Sequence, residues 1–220
     1  MTYIEKTPKY RHWKPLFTVL LGTGCRVGEI VALRWEDLDL KERTISINHS
    51  IVYYAEQGAE TSKSVLHVSQ TKTAAGNRTI PMTDKVFEAF REEYLKQKKE
   101  GFCEAEVDGM DGFIFKNRNG TVHNPQTINL AIKLILEDHN LEEERRTTRE
   151  KREPVIIPSF SCHSLRHTFC SRFVENEDNP KIVQAIMGHA DIETTMNIYA
   201  EISDMKKHEA MRNLDKKEFW

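Results

Sequence analysis

The chain has no long apolar run. None of its 220 residues falls in a stretch approaching the ~20 consecutive apolar residues that a bilayer-crossing helix needs, and the polar start MTYIEKTPKYR is not a signal peptide. A cytoplasmic protein is expected. Cysteine is scarce too: Cys25, Cys103, Cys162 and Cys170 form no CxxC pair and no framework spacing, as suits a reducing compartment. No GxxxxGK[ST] or GxGxxG loop occurs, which excludes nucleotide binding by those devices. A surplus of either charge is also missing. With 32 basic and 34 acidic residues the formal net charge is −2, so any surface for a polyanion has to be local, with the acidic residues segregated elsewhere.

What is present describes one ordinary globular domain. The hydrophobic share of 39% and the charged share of 30% suffice for one buried core. There is no internal repeat and no low-complexity linker, so residues 1–220 read as a single domain.

Periodicity supplies the elements. Trp13, Leu16, Phe17, Leu20 and Leu21 recur at helical spacing over residues 12–21, and Gly22 and Gly24 then break the pattern. A second helix is expected over Val27–Leu33. Arg26 then sits at a glycine-flanked junction, with Glu29 three residues on and within reach. Ile45, Ile47 and Ile51 alternate with polar residues as strands do. Val65–Val68 and Arg78–Met82 read as two more strands joined by a small-residue turn, with Lys72 at its lip. The economical reading is a three-stranded antiparallel sheet in a mainly α, α+β fold.

Further helices are expected from Asp84, as N-cap, to about Lys99, from Asn124-Pro125 to about Leu136, and from Asn179-Pro180 to Met187. Asp191 or Thr194 caps another that carries Tyr199. The segment 141–153, LEEERRTTREKRE, is almost wholly charged and reads as a solvated loop or protruding hairpin. Residues 201–220 hold Met205, Met211 and Leu214 amid charges, a last amphipathic helix.

The stretch Ser161–Ala200 carries the chemistry. His163 and Arg166 lie three apart, His189 follows a glycine, and Tyr199 ends a short apolar-periodic segment. Two imidazoles and a guanidinium suit an anion and its protons. A phenol with an ordinary pKa of roughly 10 becomes a nucleophile only beside groups that take its proton or neutralise its target. Each residue also has a plainer reading. Arg26 suits a helix end, Lys72 a solvated turn, Arg166 an ion pair with Glu175 or Asp178, His189 a helix C-cap and Tyr199 the core beside Ile198. Zinc on Cys162, His163, His167 and Cys170 is disfavoured, because no CxxC loop turns the chain around an ion. Hydrolase triads are disfavoured by the lack of a glycine-flanked nucleophile elbow.

Taken together and in order, these segments resemble the catalytic domain of the tyrosine recombinases, the phage-integrase family, and most closely the integrases of conjugative transposons. TGCRVGEIVALRWEDLDL is similar to the family's first arginine box and QTKTAAGNRTIPM to its lysine hairpin. HSLRHTF is similar to its His-x-x-Arg motif, and MGHADIETTMNIYA to its Gly-His box with the nucleophilic tyrosine. The resemblance covers nearly the whole chain. It implies the DNA breaking–rejoining fold and a site-specific recombinase working through a 3′-phosphotyrosyl intermediate, with no metal, nucleotide or other cofactor. It implies that Arg26 and Arg166 bind phosphate, Lys72 is the general acid, His163 and His189 assist, Tyr199 is the nucleophile and Glu29 supports.

Double-stranded DNA is the implied partner, with a homo-tetramer on DNA coupled through the tail. The family's N-terminal DNA-binding domains have no counterpart here, so a C-terminal fragment of a longer integrase is expected. Two rivals share parts of this pattern: a type IB topoisomerase-like enzyme, which does not exchange partners, and a non-catalytic DNA-binding regulator, which needs no tyrosine. The expectation behind the recombinase reading is spatial. Folding should gather two guanidiniums, an ammonium and two imidazoles around one phenol oxygen.

Overall fold

In a computed structural model, which describes residues 1–55, 64–70 and 74–202, helices dominate and two small antiparallel sheets lie among them. The helices are α1 (Thr2–Lys6), α2 (Lys14–Thr23), α3 (Val27–Ala32), α4 (Asp84–Glu100), α5 (Pro125–Glu150), α6 (Cys162–Val174) and α7 (Pro180–Met187). The strands are β1 (Leu38–Asp39), β2 (Thr44–Ile47), β3 (His49–Ala55), β4 (Ser64–Gln70) and β5 (Arg78–Pro81). Residues 192–202 form a further helical run. Among the described residues no helix is long and apolar enough to cross a membrane.

The expected three-stranded antiparallel sheet exists, but with different members. Its order is β1-β2-β5, and 64–70 pairs instead with β3 as a separate two-stranded ribbon. One chain segment therefore serves both sheets, changing partner at Asn48. His49 fixes the change. Its buried ring hydrogen-bonds the Ala32 carbonyl through Nε2 at 2.7 Å and lies 3.7 Å from Asp37, which ties the start of β3 to the end of α3. Period two located the strands, but periodicity does not say which strand pairs with which.

The core follows from the apolar stripes. α2 packs between α4 and α6, and α3 lies on β3. Leu20, Ile30, Ile45, Ile47, Ile51, Phe90, Phe113, Ile114 and Ile128 are all but fully buried in one cluster. A smaller second cluster, Cys170, Val174, Val183, Met187, Ile198 and Ile202, joins α6, α7 and the run 192–202. The functional segments straddle the seam between the two.

The caps are local chemistry. Asn124 and Asn179 accept the backbone N–H of Gln126 and Lys181, and Pro125 and Pro180 open their helices. The cap of α4 is Thr83, whose hydroxyl accepts from the Val86 N–H, rather than Asp84, which is the first helical residue. Gly24 and Gly188 close α2 and α7 in the left-handed region at φ of 63° and 64°.

The charged segment 141–153 is not a loop. α5 runs through it to Glu150 and is closed by Lys151. Glu143, buried near the helix end, accepts from Arg146 one turn on, from Arg152 Nη1 at 2.8 Å and from the Val155 N–H at 3.3 Å. Glu, Arg and Leu are good helix formers. Opposite charges three apart support the turn, so a run that reads as solvated loop by charge is helical by propensity. The proposed tail helix beyond residue 202 lies outside the described residues.

Phe90 on α4 packs against Phe115 with ring centroids 6.3 Å apart. Phe90→Ala is expected to lower unfolding free energy by about 3–5 kcal/mol, the usual cost of emptying a large buried ring site. Denaturant unfolding of the two proteins measures it.

Candidate active site

Three arginines and one carboxylate meet where the ends of α2 and α7 approach the start of α3. Arg26 precedes α3, and the Glu29 carboxylate reaches back to accept its backbone N–H at 2.8 Å, one half of a capping box. Arg26 Nη1 binds Glu29 Oε1 at 3.0 Å. The Arg26 side chain is nevertheless half exposed while that of Glu29 is 4% exposed, so the guanidinium lies at the surface and its anchor in the interior.

Arg166, projecting from α6, is buried and held by backbone alone. Nη1 donates to the Gly24 carbonyl and Nη2 to the Met187 carbonyl, each at 2.7 Å. Both acceptors sit at helix C-terminal ends, where partial negative charge gathers. Neutral carbonyls orient a guanidinium without cancelling its charge. Burial and the neighbouring Arg26 pull the Arg166 pKa down to about 10, which still leaves it protonated at neutral pH.

The third arginine, Arg78, was not singled out in the sequence. It opens β5 on the same face as buried Ile80, and its Nη2 pairs with Glu29 Oε2 at 2.8 Å. The alternation of Arg78, Ile80 and Met82 was the available signal, since period two places an arginine on an inward face. Burial alone would raise the Glu29 carboxyl, but hydrogen bonds and charge from Arg78 and then Arg26 outweigh it and hold it below the ordinary carboxylate value. Burial also pushes the adjacent Cys25 thiol up to about 11, so it carries no charge. Three guanidiniums against one carboxylate leave two positive charges in this cluster without a counterion among the described residues.

His189 joins the same cluster. It follows Gly188, and its Nδ1 lies 3.0 Å from the buried Thr195 hydroxyl. Burial first, then Arg166, Arg26 and Arg78, lower its pKa to about 4. The imidazole is therefore neutral at physiological pH.

The remaining expected residues lie apart. His163 is exposed near the start of α6 on a surface shared with His167, Ser171 and Arg172. Tyr199 is half buried beside the second cluster, and its phenol donates to the Glu177 carbonyl between α6 and α7. Burial, with the Glu177 and Asp178 carboxylates, raises its pKa. The phenol thus faces acidic residues rather than the arginines. Lys72 lies outside the described residues. Arg166 pairs with neither Glu175 nor Asp178. Cys162 and Cys170 are buried while His163 and His167 are exposed, and no metal-holding cluster occurs among the described residues.

The depressed His189 value has a measurable consequence. A histidine whose folded pKa lies below its unfolded value near 6.5 contributes stability above that pH, and loses it as pH falls towards about 4. Imidazole NMR should show His189 neutral at pH 6 with a midpoint near 4, and His189→Asn should flatten the acid limb of stability between those values.

Comparison with known proteins bears on the family and the fold. The family model described as "Phage integrase family" matches residues 1–206. The transposase from transposon Tn916 of Enterococcus faecalis is 31% identical over 198 residues, which are 90% of this chain and 44% of that protein. A XerC-like tyrosine recombinase of Caldanaerobacter subterraneus subsp. tengcongensis is 24% identical over 218 residues, 96% of this chain and 51% of its own. The chain thus spans about half the length of these relatives. Among solved structures, the Tn1549 transposon integrase in complex with a circular intermediate DNA superposes with a TM-score of 0.75 at 27% identity, over 95% of this chain and 62% of that one. The XerA recombinase shares the fold, with a TM-score of 0.60 at 20% identity over 94% of this chain and 59% of that one. With the four motifs in order, the matching architecture and the family model covering nearly its full length, the chain belongs to the phage integrase family.

Proposed function

We propose that this chain is the catalytic part of a site-specific DNA recombinase of a mobile element, which breaks and rejoins DNA strands through a 3′-phosphotyrosyl bond. The observation that carries the reading is the arginine cluster: two uncompensated positive charges, with Arg26 half exposed above them. A phosphodiester is the counterion such a site fits. Guanidinium forks match its two non-bridging oxygens, and the match improves as charge spreads over the equatorial oxygens in the transition state. The Tn1549 integrase, similar along 95% of this chain, was solved with DNA.

In this reading Arg26 and Arg166 bind the scissile phosphate, and neutral His189 donates from Nε2 to one of its oxygens while Nδ1 accepts from the Thr195 hydroxyl. The Tyr199 oxygen attacks phosphorus in line, and the bond to the 5′-oxygen breaks. Lys72 gives that oxygen its proton, while His163, exposed to solvent, accepts the proton of the phenol. The phosphotyrosyl bond retains the energy of the phosphodiester, so a 5′-hydroxyl of a second strand reverses the attack without ATP.

Tyr199 must first leave the Glu177 carbonyl, and the run 192–202 that carries it is the element that moves. The enzyme acts on double-stranded DNA in the cytoplasm as a homo-tetramer, with residues 203–220 docking on a neighbouring subunit. Further domains of a longer integrase supply sequence recognition.

Incubation with a nicked duplex carrying the element's end tests the reading. The expected product is a protein–DNA adduct that survives denaturation. Tyr199→Phe is expected to abolish the adduct with DNA affinity retained, and absence of adduct from the unsubstituted protein on its own element end refutes the reading. Arg26→Lys keeps the charge but loses the fork, and is expected to slow adduct formation by roughly 10²–10³ while binding changes far less. Affinity should fall steeply with salt in titrations of either protein.

A further inference from the structure

We propose that Arg78 is a positioning residue: from the start of β5 it grips the Glu29 carboxylate and the C-terminal end of α7 together, and so sets the direction of Arg26 and the placement of His189. The proposal rests on reading the arginine cluster as a phosphodiester site.

The Arg78 side chain is 6% exposed, and its nitrogens are committed within the protein. Nε donates to the Ile186 carbonyl at 2.8 Å, Nη1 to Glu29 Oε1 and the Gly76 carbonyl at 3.2 Å each, and Nη2 to Glu29 Oε2 at 2.8 Å. Nη2 also lies 3.5 Å from Cys25 Sγ. A guanidinium committed in this way is no ligand for substrate. It acts through what it holds.

What it holds is both oxygens of Glu29. Oε1 is shared by Arg78 and Arg26 Nη1, while Oε2 is shared by Arg78 and the Arg26 backbone N–H. In this arrangement Glu29 gives the Arg26 side chain one oxygen only. The rest of that fork keeps its hydrogen-bonding capacity and its half-exposed position. With Arg78 gone, the carboxylate is free to turn and take Arg26 in a two-pronged ion pair, the preferred geometry for these groups. That pair would draw the guanidinium inward and neutralise it.

The second grip is on α7. Arg78 holds the Ile186 carbonyl, two residues before Gly188, and its guanidinium packs so closely on Gly188 that a Cβ there would meet Arg78 Nη1 at 2.8 Å and Cζ at 2.9 Å. The glycine is thus needed twice, for its positive φ and for this approach. His189 is the next residue, so the Arg78 contact fixes the base from which its ring projects. Lysine cannot replace the arrangement, because a point ammonium cannot span two carboxylate oxygens and a carbonyl on a third element.

The test compares unsubstituted protein with R78K and R78Q, each kept only if it melts cooperatively; R78K preserves the buried charge should R78Q not fold. Three quantities are measured: DNA affinity, single-turnover adduct formation on the nicked duplex across pH, and the Glu29 carboxyl titration by 13C NMR without DNA. Groups facing that carboxyl are Arg26 and Cys25 beside it in the chain, Arg78 from β5 and Arg166 from α6. Affinity is expected to hold within severalfold while R78Q slows adduct formation by about 10²-fold, as misplacing a binding group by an ångström does. R78K should fall between. In both variants Glu29 should titrate at higher pH, and the deficit in adduct formation should shrink as pH falls through that titration, because a protonated Glu29 no longer neutralises Arg26.

A variant with unaltered rate, pH profile and Glu29 titration overturns the proposal. So does a loss of rate that tracks melting temperature while the Glu29 titration stays put. If the unsubstituted protein forms no adduct, the strand-transfer reading fails instead. The carboxyl titration still decides the grip, because an unmoved Glu29 in R78K overturns it.

Discussion

Three guanidiniums gather at one carboxylate, which Arg26 and Arg78 bind and Arg166 does not, and the architecture around the site serves that imbalance. Glu29 is buried with both oxygens occupied, and apart from the Cys25 sulfur the remaining arginine contacts are made by backbone carbonyls of Gly24, Gly76, Ile186 and Met187. A carboxylate in place of any of those carbonyls would hold the side chains equally well and cancel the charge. Carbonyls at helix ends orient the guanidiniums and leave the field intact. Burying such charge is costly, and it persists because every donor on Arg78 and the paired donors on Arg166 have good acceptors. An overall charge of −2 is compatible with this local excess, since among the described residues Glu29 is the only acid paired with any of the three arginines.

Much of the frame was legible because it is local. A stripe at helical spacing located α2, and Asn-Pro pairs marked the starts of α5 and α7 through capping chemistry that acts within a few residues. The reach of Glu29 to Arg26 was legible for the same reason. Arg166 and His189 were found by motif, but their partners were not. The acceptors of Arg166 lie 142 and 21 residues away in sequence, and only the fold brings them close.

What was not legible is relational or competitive. The partner change at Asn48 depends on His49 meeting Ala32, a long-range contact with no periodic signature. The stretch 141–150 carries two signals that disagree: dense charge argues for solvent, while residue propensities and a Glu143–Arg146 pair argue for helix. Helix prevailed because α5 was already nucleated upstream, and adding a turn costs far less than starting one. Arg78 stood on an inward face by period two, yet an arginine there has meaning only once Glu29 is known to lie opposite. The phenol of Tyr199 is the sharpest case, since its motif says nothing of where it rests.

That resting place follows from the energies. At its carbonyl Tyr199 has one hydrogen bond, worth on the order of 1 kcal/mol net, and partial burial against the second cluster. Near the arginines its proton would be easier to lose, but without a phosphate the uncompensated charges there offer a neutral phenol little. Beside Glu177 and Asp178 the phenol stays protonated and inert. In the proposed reaction a phosphodiester in the cluster would alter the comparison, because it would neutralise the arginines and supply the electrophile that makes a phenolate useful. The arginines are thus held on helix ends and a strand start, while the proposed nucleophile rides on the run 192–202, whose Ile198 and Ile202 pack with Cys170, Val174, Val183 and Met187 rather than in the main core. Little has to be broken for the nucleophile to move, whereas displacing the arginines would uncover a buried charge. In the proposed reaction this asymmetry would let a bound phosphate, rather than thermal chance, decide when the tyrosine becomes reactive.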